Sequence, residues 1–242
     1  MQYFGGKFRI AKQLAEFLNS QSAGLTEYYE PFCGSCNVLT KINGIPRKAS
    51  DGSSEMIALW KAMQNGWSPP TVISEEQYRR ALNGEYPKHV RAFIGHGCSF
   101  GGKYFGGYAR KKTGAPGNYA LNAHNSLMKK ILLLQDVDFF HADYKDVTPR
   151  KALVYCDPPY ANTTHAYGSK FTFDTDEFWA TMRKWSAPEL GNRVFISEYT
   201  APADFHCVLE IQTRTDMKNT VNKMIPRVER LFTYTDRVEN NE

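Results

Sequence analysis

Asp157-Pro158-Pro159-Tyr160 is the tetrapeptide with the clearest chemistry in this 242-residue sequence. It follows the apolar run Leu153-Val154-Tyr155, which places it at the carboxyl end of a strand, where open α/β sheets hold their ligands. Two successive prolines fix the backbone and remove two N–H donors. The turn is left rich in acceptors, the Asp157 carboxylate and the Pro158 carbonyl, where an amine could donate two hydrogen bonds. Tyr160 adds a flat face on which a base could stack. An exocyclic amine is a poor nucleophile while its lone pair is delocalised into the ring. Two acceptors on its hydrogens favour a more tetrahedral, more reactive nitrogen. Pro-Pro turns with a capping Asp are common, so the tetrapeptide gains its weight from the strand before it and from motifs elsewhere.

The segment Glu30-Pro31-Phe32-Cys33-Gly34-Ser35-Cys36 follows the apolar run that starts at Tyr28. A strand, a Gly-bearing turn and a following helix form the usual cradle of a nucleotide-like cofactor. The full dinucleotide fingerprint is missing, which disfavours a phosphate role. Asp51 lies roughly 20 residues on, where an acid holds ribose hydroxyls in dinucleotide folds. A cofactor with a ribose and no phosphate fits the set, and S-adenosylmethionine is the candidate. Cys33 and Cys36 also match a redox or half-zinc spacing. There is no second such pair, so small residues at a crowded turn explain them better. The histidines form no triad or metal pattern, and no cluster of acids with a Lys suggests a nuclease.

A third region is basic. From Tyr86 to Gln135 there is no Asp or Glu, while Lys88, Arg91, Lys103, Arg110, Lys111, Lys112, Lys129 and Lys130 lie within it. These charges exceed the whole-chain surplus of +5, so the remainder is slightly acidic and a polyanion partner is indicated. The run Ser99 to Lys112 interleaves aromatics, glycines and cations. Glycines allow close backbone approach, cations meet phosphates, and aromatics stack on or wedge between bases. Arg110, Lys111 and Lys112 are the expected phosphate contacts, with Lys103 and Tyr104 beside them. Asn118 could read an adenine edge, although loop asparagines often serve turns.

The elements that must position these groups follow an α/β rhythm. Ile10, Leu14 and Phe17 with Leu18 predict a helix over Lys7–Leu18. Tyr28–Phe32 and Lys48–Ser50 read as strands, with a helix between them burying Val38, Leu39 and Ile42. Ser74 with Gln77, and Asp174 with Glu177, are capping signals, the second before the apolar face Phe178, Met182 and Trp185. Val137–His141, Leu153–Asp157, Arg193–Ser197, Cys207–Gln212 and Val228–Tyr234 read as strands, while Gly95–Asn125 reads as loop. This implies a doubly wound α/β sheet, with a catalytic domain over residues 1–59 and 135–242 and an insertion over 60–134. Almost all of the acid-free stretch falls in the insertion, so a catalytic core carrying a nucleic-acid reader is expected.

Five scattered cysteines argue against a disulfide framework. No apolar run approaches the ~20 residues of a membrane span, and the N-terminus lacks a signal-peptide pattern. A cytoplasmic location is expected, with no metal and no obligatory protein partner, as a monomer or weak dimer.

The sequence resembles the Dam-type (D12 class) N6-adenine DNA methyltransferases, especially their compact phage and prophage versions. The resemblance rests on Tyr3-Phe4-Gly5-Gly6-Lys7, Glu30-Pro31-Phe32-Cys33-Gly34, Asp51, Ala142-Asp143-Tyr144 and Asp157-Pro158-Pro159-Tyr160. It continues through Phe173-Asp174, Phe178-Trp179, Ser197-Glu198-Tyr199 and Glu229-Arg230-Leu231-Phe232, in the family's order. It implies a Rossmann-like, S-adenosylmethionine-dependent methyltransferase fold: a seven-stranded mixed sheet with an antiparallel last hairpin, and an inserted target-recognition domain. By the same resemblance Tyr3, Lys7, Glu30, Phe32, Gly34, Asp51 and Asp157 surround the cofactor, and Asp143, Tyr144 and Tyr160 line an adenine pocket. Asp157, Pro158 and Tyr160 act on the base, and the partner is double-stranded DNA, as in a restriction-modification system. The family often has Gly or Ala where Cys36 stands. Two alternatives stay open: methylation of N4 of cytosine or another amine, and a DNA-binding protein with a decayed active site.

Overall fold

The computed structural model describes residues 1–110, 118–159, 173–218 and 224–235, with only the backbone described for 214–218 and 224–227. Its helices are α1 (Ala11–Ser20), α2 (Ser54–Gln64), α3 (Glu75–Leu82), α4 (Lys88–Gly97), α5 (Tyr119–Ile131) and α6 (Thr175–Trp185). Its strands are β1 (Glu27–Glu30), β2 (Arg47–Asp51), β3 (Asp138–His141), β4 (Ala152–Cys156), β5 (Arg193–Glu198), β6 (Phe205–Lys218) and β7 (Met224–Tyr234).

The strands form one seven-stranded sheet in the order β3-β2-β1-β4-β5-β7-β6. β1 to β5 pair in parallel, and β7 runs antiparallel to both β5 and β6. The mixed sheet and its antiparallel last hairpin are as the resemblance implies. Strand order reverses between β1 and β4, which creates a crevice at their carboxyl ends. Glu30 ends β1 and Asp157 follows β4, so chain topology alone brings two motifs 127 positions apart to that crevice.

Every residue of β4 is buried, as expected of a central parallel strand covered on both faces. Its alternation divides the interior. Leu153 and Tyr155 join Tyr28 in one cluster, with Leu14, Leu39 and Trp60. Val154 and Cys156 join Tyr29 in the other, with Phe178, Met182 and Trp185 of α6. Phe93 of α4 and Leu127 of α5 belong to the first cluster. The helices between β2 and β3 therefore share the core of one sheet face.

Both capping signals are present. The Ser74 hydroxyl accepts from Gln77 N at 3.1 Å, and Ser74 N donates to the Gln77 side chain at 2.8 Å. Asp174 accepts from Glu177 N at 2.9 Å. Three elements differ from expectation. Helix α1 starts at Ala11 rather than Lys7, because Lys7 to Ile10 form a turn closed by Ile10 N on Lys7 O at 3.1 Å. The segment after β1 makes a 3-10 turn at Leu39–Lys41 rather than an α-helix, yet buries Val38, Leu39 and Ile42. The expected loop Gly95–Asn125 is helical at both ends. α4 runs through Gly95 and Gly97, where a Cβ would stand 2.5 Å from the Tyr104 ring and 2.8 Å from Ala123. Glycines that suggest a loop serve close packing here. α2 continues to Gln64, so the expected insertion boundary after residue 59 falls inside a helix.

Candidate active site

The site grows from the carboxyl ends of β1, β2 and β4. The rigid turn after β4 presents Asp157 half-buried, with Pro158 buried behind it. Asp157 Oδ1 accepts from Lys7 Nζ at 2.6 Å. Lys7 arrives from the turn before α1, is buried, and lies 4.0 Å from Glu229 of β7. Burial pushes the Asp157 carboxyl up from the ordinary range, Lys7 pulls it down, and Glu229 raises it again.

Glu30 is 3% exposed and accepts from the Tyr28 hydroxyl at 2.7 Å. Burial is the largest cause lifting its carboxyl from 4.5 to about 8; the Tyr28 bond lowers it, and the neighbouring Asp157 raises it further. The turn after it is held from several directions. Gly34 N donates to Asp51 Oδ2 at 2.9 Å, and Ser53 N donates to Asp51 Oδ1 at 2.8 Å. Trp60 Nε1 donates to Gly34 O at 2.9 Å. Gly34 has φ +41°, and a Cβ on it would lie 2.9 Å from the Tyr3 ring, so this turn demands glycine twice over. Cys36 has φ +55°, a left-handed conformation that glycine adopts most readily. Cys33 and Cys36 are buried thiols whose titration burial pushes upward.

Phe32 faces an aromatic wall, with ring centroids 5.2 Å from Tyr144, 6.3 Å from Phe173 and 5.9 Å from Phe178. Asp143 Oδ1 accepts from the Lys145 amide at 3.1 Å and opens a 3-10 turn that seats Tyr144 in this wall. Tyr160 lies outside the described residues.

The crevice is lined with acids whose carboxylate forms a bound cation would favour. Glu30, Asp51, Asp157 and Glu229 stand against Lys7 and Lys130, and burial lifts the titration of the first three. Such an arrangement suits a net cation. S-adenosylmethionine, with a sulfonium and an ammonium against one carboxylate, is one.

The basic run is arranged differently. Phe100 is 74% exposed, and Lys103 is exposed beside it. Phe4, also exposed, is tied to this run by its N–H on Gly102 O at 3.2 Å. Tyr104 is turned inward. Its hydroxyl bonds Glu55 of α2, and its ring lies 4.9 Å from buried His96. The exposed aromatic of the run is thus Phe100, because α4 offers Tyr104 a glycine-lined seat. Arg110 pairs with Glu75, and Arg91 with Glu55 at 3.3 Å. Asn118 caps α5, accepting from Leu121 N at 3.0 Å; the side chain expected to read a base is spent on its own helix. Lys111 and Lys112 lie outside the described residues.

Sequence reasoning missed Glu229, His96 and Lys130. Glu229 stood within a quoted motif without a role. His96, held neutral by burial that lowers its titration to about 4, lies with its ring 4.6 Å from that of Tyr3, tilted to it, and bonds Gly102 O through Nδ1 at 3.1 Å. No spacing signal marks a histidine whose partners come from the N-terminus. Among the described residues no group of His, Cys, Asp or Glu could hold a metal ion, and no helix is long and apolar enough to cross a membrane.

The family model of D12 class N6 adenine-specific DNA methyltransferases matches residues 3–89 and 101–221. No curated protein sequence matches the chain. Among solved structures, similarity extends to a proposed RNA methyltransferase from Pyrococcus horikoshii (TM-score 0.42, 11% identity, covering 96% of this chain and 84% of that one). It extends also to precorrin 8w decarboxylase from Methanobacterium thermoautotrophicum (0.39, 10%, 92% and 90%). A third is precorrin-6y C5,15-methyltransferase from Geobacter metallireducens (0.38, 8%, 94% and 90%).

Proposed function

The chain belongs to the D12 class N6 adenine-specific DNA methyltransferase family, and from that premise we propose that it methylates N6 of an adenine rotated out of duplex DNA. S-adenosylmethionine is the methyl donor; when bound, it supplies an electrophilic methyl group and departs as a neutral thioether. The observation that carries the reading is the Lys7–Asp157 pair at the topological switch point, directly before two prolines.

In this reading Asp157 and the Pro158 carbonyl accept from the two hydrogens of the adenine amine. Lys7 holds Asp157 by one oxygen, at 2.6 Å, and so fixes the direction of the other. The Asp157 carboxyl, raised by burial, is also suited to take the proton that the amine sheds. Catalysis is orientation and preorganised electrostatics. Tyr3, Glu30, Phe32, Gly34 and Asp51 hold the cofactor, while Asp143, Tyr144 and Tyr160 bound the base. Rotating the base out of the stack lets the amine reach Asp157.

Residues 60–134 serve as the target-recognition unit, with Lys103, Lys111 and Lys112 on phosphates and Phe100 against the bases. Arg110 reaches phosphate by exchanging Glu75 for it. Tyr104, turned into the fold, is withdrawn from the DNA-contacting set, whereas Asn118 is exposed and its side-chain oxygen caps α5.

The test is transfer of labelled methyl from S-adenosylmethionine to unmethylated bacterial DNA, followed by digestion to nucleosides. Label in N6-methyladenosine is the expected result. Label in N4-methylcytidine overturns the base assignment and leaves the amine chemistry standing. Cofactor binding without label on DNA would overturn DNA as the substrate.

A further inference from the structure

α5 lies within the acid-free stretch, with Asn118 as its cap, and ends at Ile131. It forms a rod of about 20 Å. Near its end stand two lysines of the basic stretch. Lys129 is exposed, as a phosphate-seeking side chain would be. Lys130 points the other way. Its ammonium donates to Asn37 Oδ1 at 2.6 Å and to the Ser35 carbonyl. Both acceptors lie in the turn after β1, whose Gly34 is held on the other side by Asp51 and Trp60.

An ammonium withdrawn from water keeps its charge only where acceptors and nearby acids replace the lost hydration. Burial draws Lys130 down to about 8, while Cys36 and then Glu30 nearby oppose that shift. Asn37 in turn donates to the Ser35 hydroxyl at 2.9 Å. Lys130, Asn37 and Ser35 therefore lock the turn between Gly34 and the buried 3-10 segment that follows.

We propose that Lys130 is a positioning residue for S-adenosylmethionine: it seats the Ser35–Asn37 turn so that Gly34 and Glu30 face the cofactor. It does so from a helix that lies within the acid-free stretch. Lys130 acts through the turn and touches none of the reacting atoms. The inference rests on the assignment of the turn after β1 to the cofactor.

Lys130→Met preserves length and removes the charge and donors. Binding of sinefungin, an analogue without a transferable methyl, to the full chain is measured by calorimetry, beside steady-state kinetics on DNA. The dissociation constant and the KM for S-adenosylmethionine should rise about tenfold, the scale of lost charged hydrogen bonds. The kcat at saturating cofactor and the KM for DNA should stay within about twofold. Lys130→Arg should recover part of the affinity. Asn37→Ala should weaken sinefungin on its own and combine with Lys130→Met less than additively.

An unchanged sinefungin affinity in folded Lys130→Met overturns the proposal. So does a raised KM for DNA with the cofactor KM unchanged, which would make Lys130 a phosphate contact. Where Lys130→Met fails to fold, Asn37→Ala decides: wild-type affinity overturns the proposal. Asp51→Ala separates the underlying reading. Full sinefungin affinity in that variant removes the cofactor assignment itself, whereas weak binding there with tight binding in Lys130→Met removes only the role of Lys130.

Discussion

The turn after β1 and the run Ser99–Arg110 are both glycine-bearing and flanked by aromatics, yet the fold treats them in opposite ways. In the turn, Gly34 N and O, the Ser35 carbonyl and Asn37 are each engaged by a side chain from another element: Asp51, Trp60 or Lys130. In the run, Gly102 and Gly106 are closely packed, against Gln2 and Lys103, but a Cβ at Gly101 or Gly107 would meet nothing within 4 Å, and Phe100 and Lys103 are exposed. In the function proposed, the pinned turn suits a small ligand of fixed shape, and the exposed part of the run around Phe100, Gly101 and Lys103 is the part open to a large partner. Sites that hold reacting atoms need preorganisation, whereas surfaces that meet a polymer tolerate adjustment. Variants in the pinned region should therefore act on cofactor and chemistry, and variants in the open region on DNA affinity alone.

The largest effect is expected at Asp157. Asp157→Ala removes the acceptor for the amine and leaves Lys7 with Glu229 at 4.0 Å. Single-turnover methyl transfer should fall by about 10²–10³-fold or more, the scale of losing one preorganised electrostatic partner, with duplex affinity unchanged in a gel-shift assay. Turnover like the wild type would remove the pinned region from the chemistry.

Gly34→Ala comes next. The new Cβ would stand 2.9 Å from the Tyr3 ring at φ +41°, so both steric overlap and backbone strain oppose it. A left-handed alanine alone costs about 1–2 kcal/mol. Calorimetry should show cofactor affinity reduced by at least about tenfold, and DNA affinity unaltered.

Glu30 sharpens the comparison through pH. Its ordinary titration at 4.5 is lifted by burial to about 8. Between those values the folded chain holds a proton that the unfolded chain has released, so the stabilising contribution is complete below 4.5 and is lost as pH rises through 8. The melting temperature without ligand should fall across this window, and Glu30→Gln should flatten the fall. Cofactor affinity should move oppositely, rising with pH as the carboxylate forms, and Glu30→Gln should abolish that rise. A pH-independent affinity in the wild type would remove Glu30 from the cofactor's contacts.

Only part of the pinned region is legible in the sequence: the helix expected after β1 is a 3-10 turn. β1, β4 and the two capping signals announce themselves through apolar runs and local hydrogen-bonding chemistry. Asp157 follows from its strand and its prolines. Tyr104 and Gly95 were misread because a glycine beside an aromatic looks the same in sequence whether it frees a loop or admits a ring into a helix groove. Lys130 was grouped with the cations around it, since composition carries no information on which way a helix turns. Glu229 and His96 depend on contacts between distant segments, Lys7 with β7 and Tyr3 with α4, and neither leaves a periodic trace.

The smallest effect separates the two regions at α5. Asn118 and Lys103 are both polar residues of the expected DNA-reading segment, but Asn118 accepts from Leu121 N at 3.0 Å while Lys103 is exposed. Lys103→Ala should weaken duplex binding and reduce the slope of log affinity against log salt by about 1. Asn118→Ala should destabilise the fold by about 1 kcal/mol, the typical value of a helix cap. It should leave both the salt slope and the methylated sequence unchanged. A changed methylation site in Asn118→Ala, with an unaltered melting temperature, would return this residue to the reader. The open region would then extend into the first turn of α5, and the division between a pinned cofactor side and an open DNA side would have to be drawn within that helix, between Asn118 and Lys130.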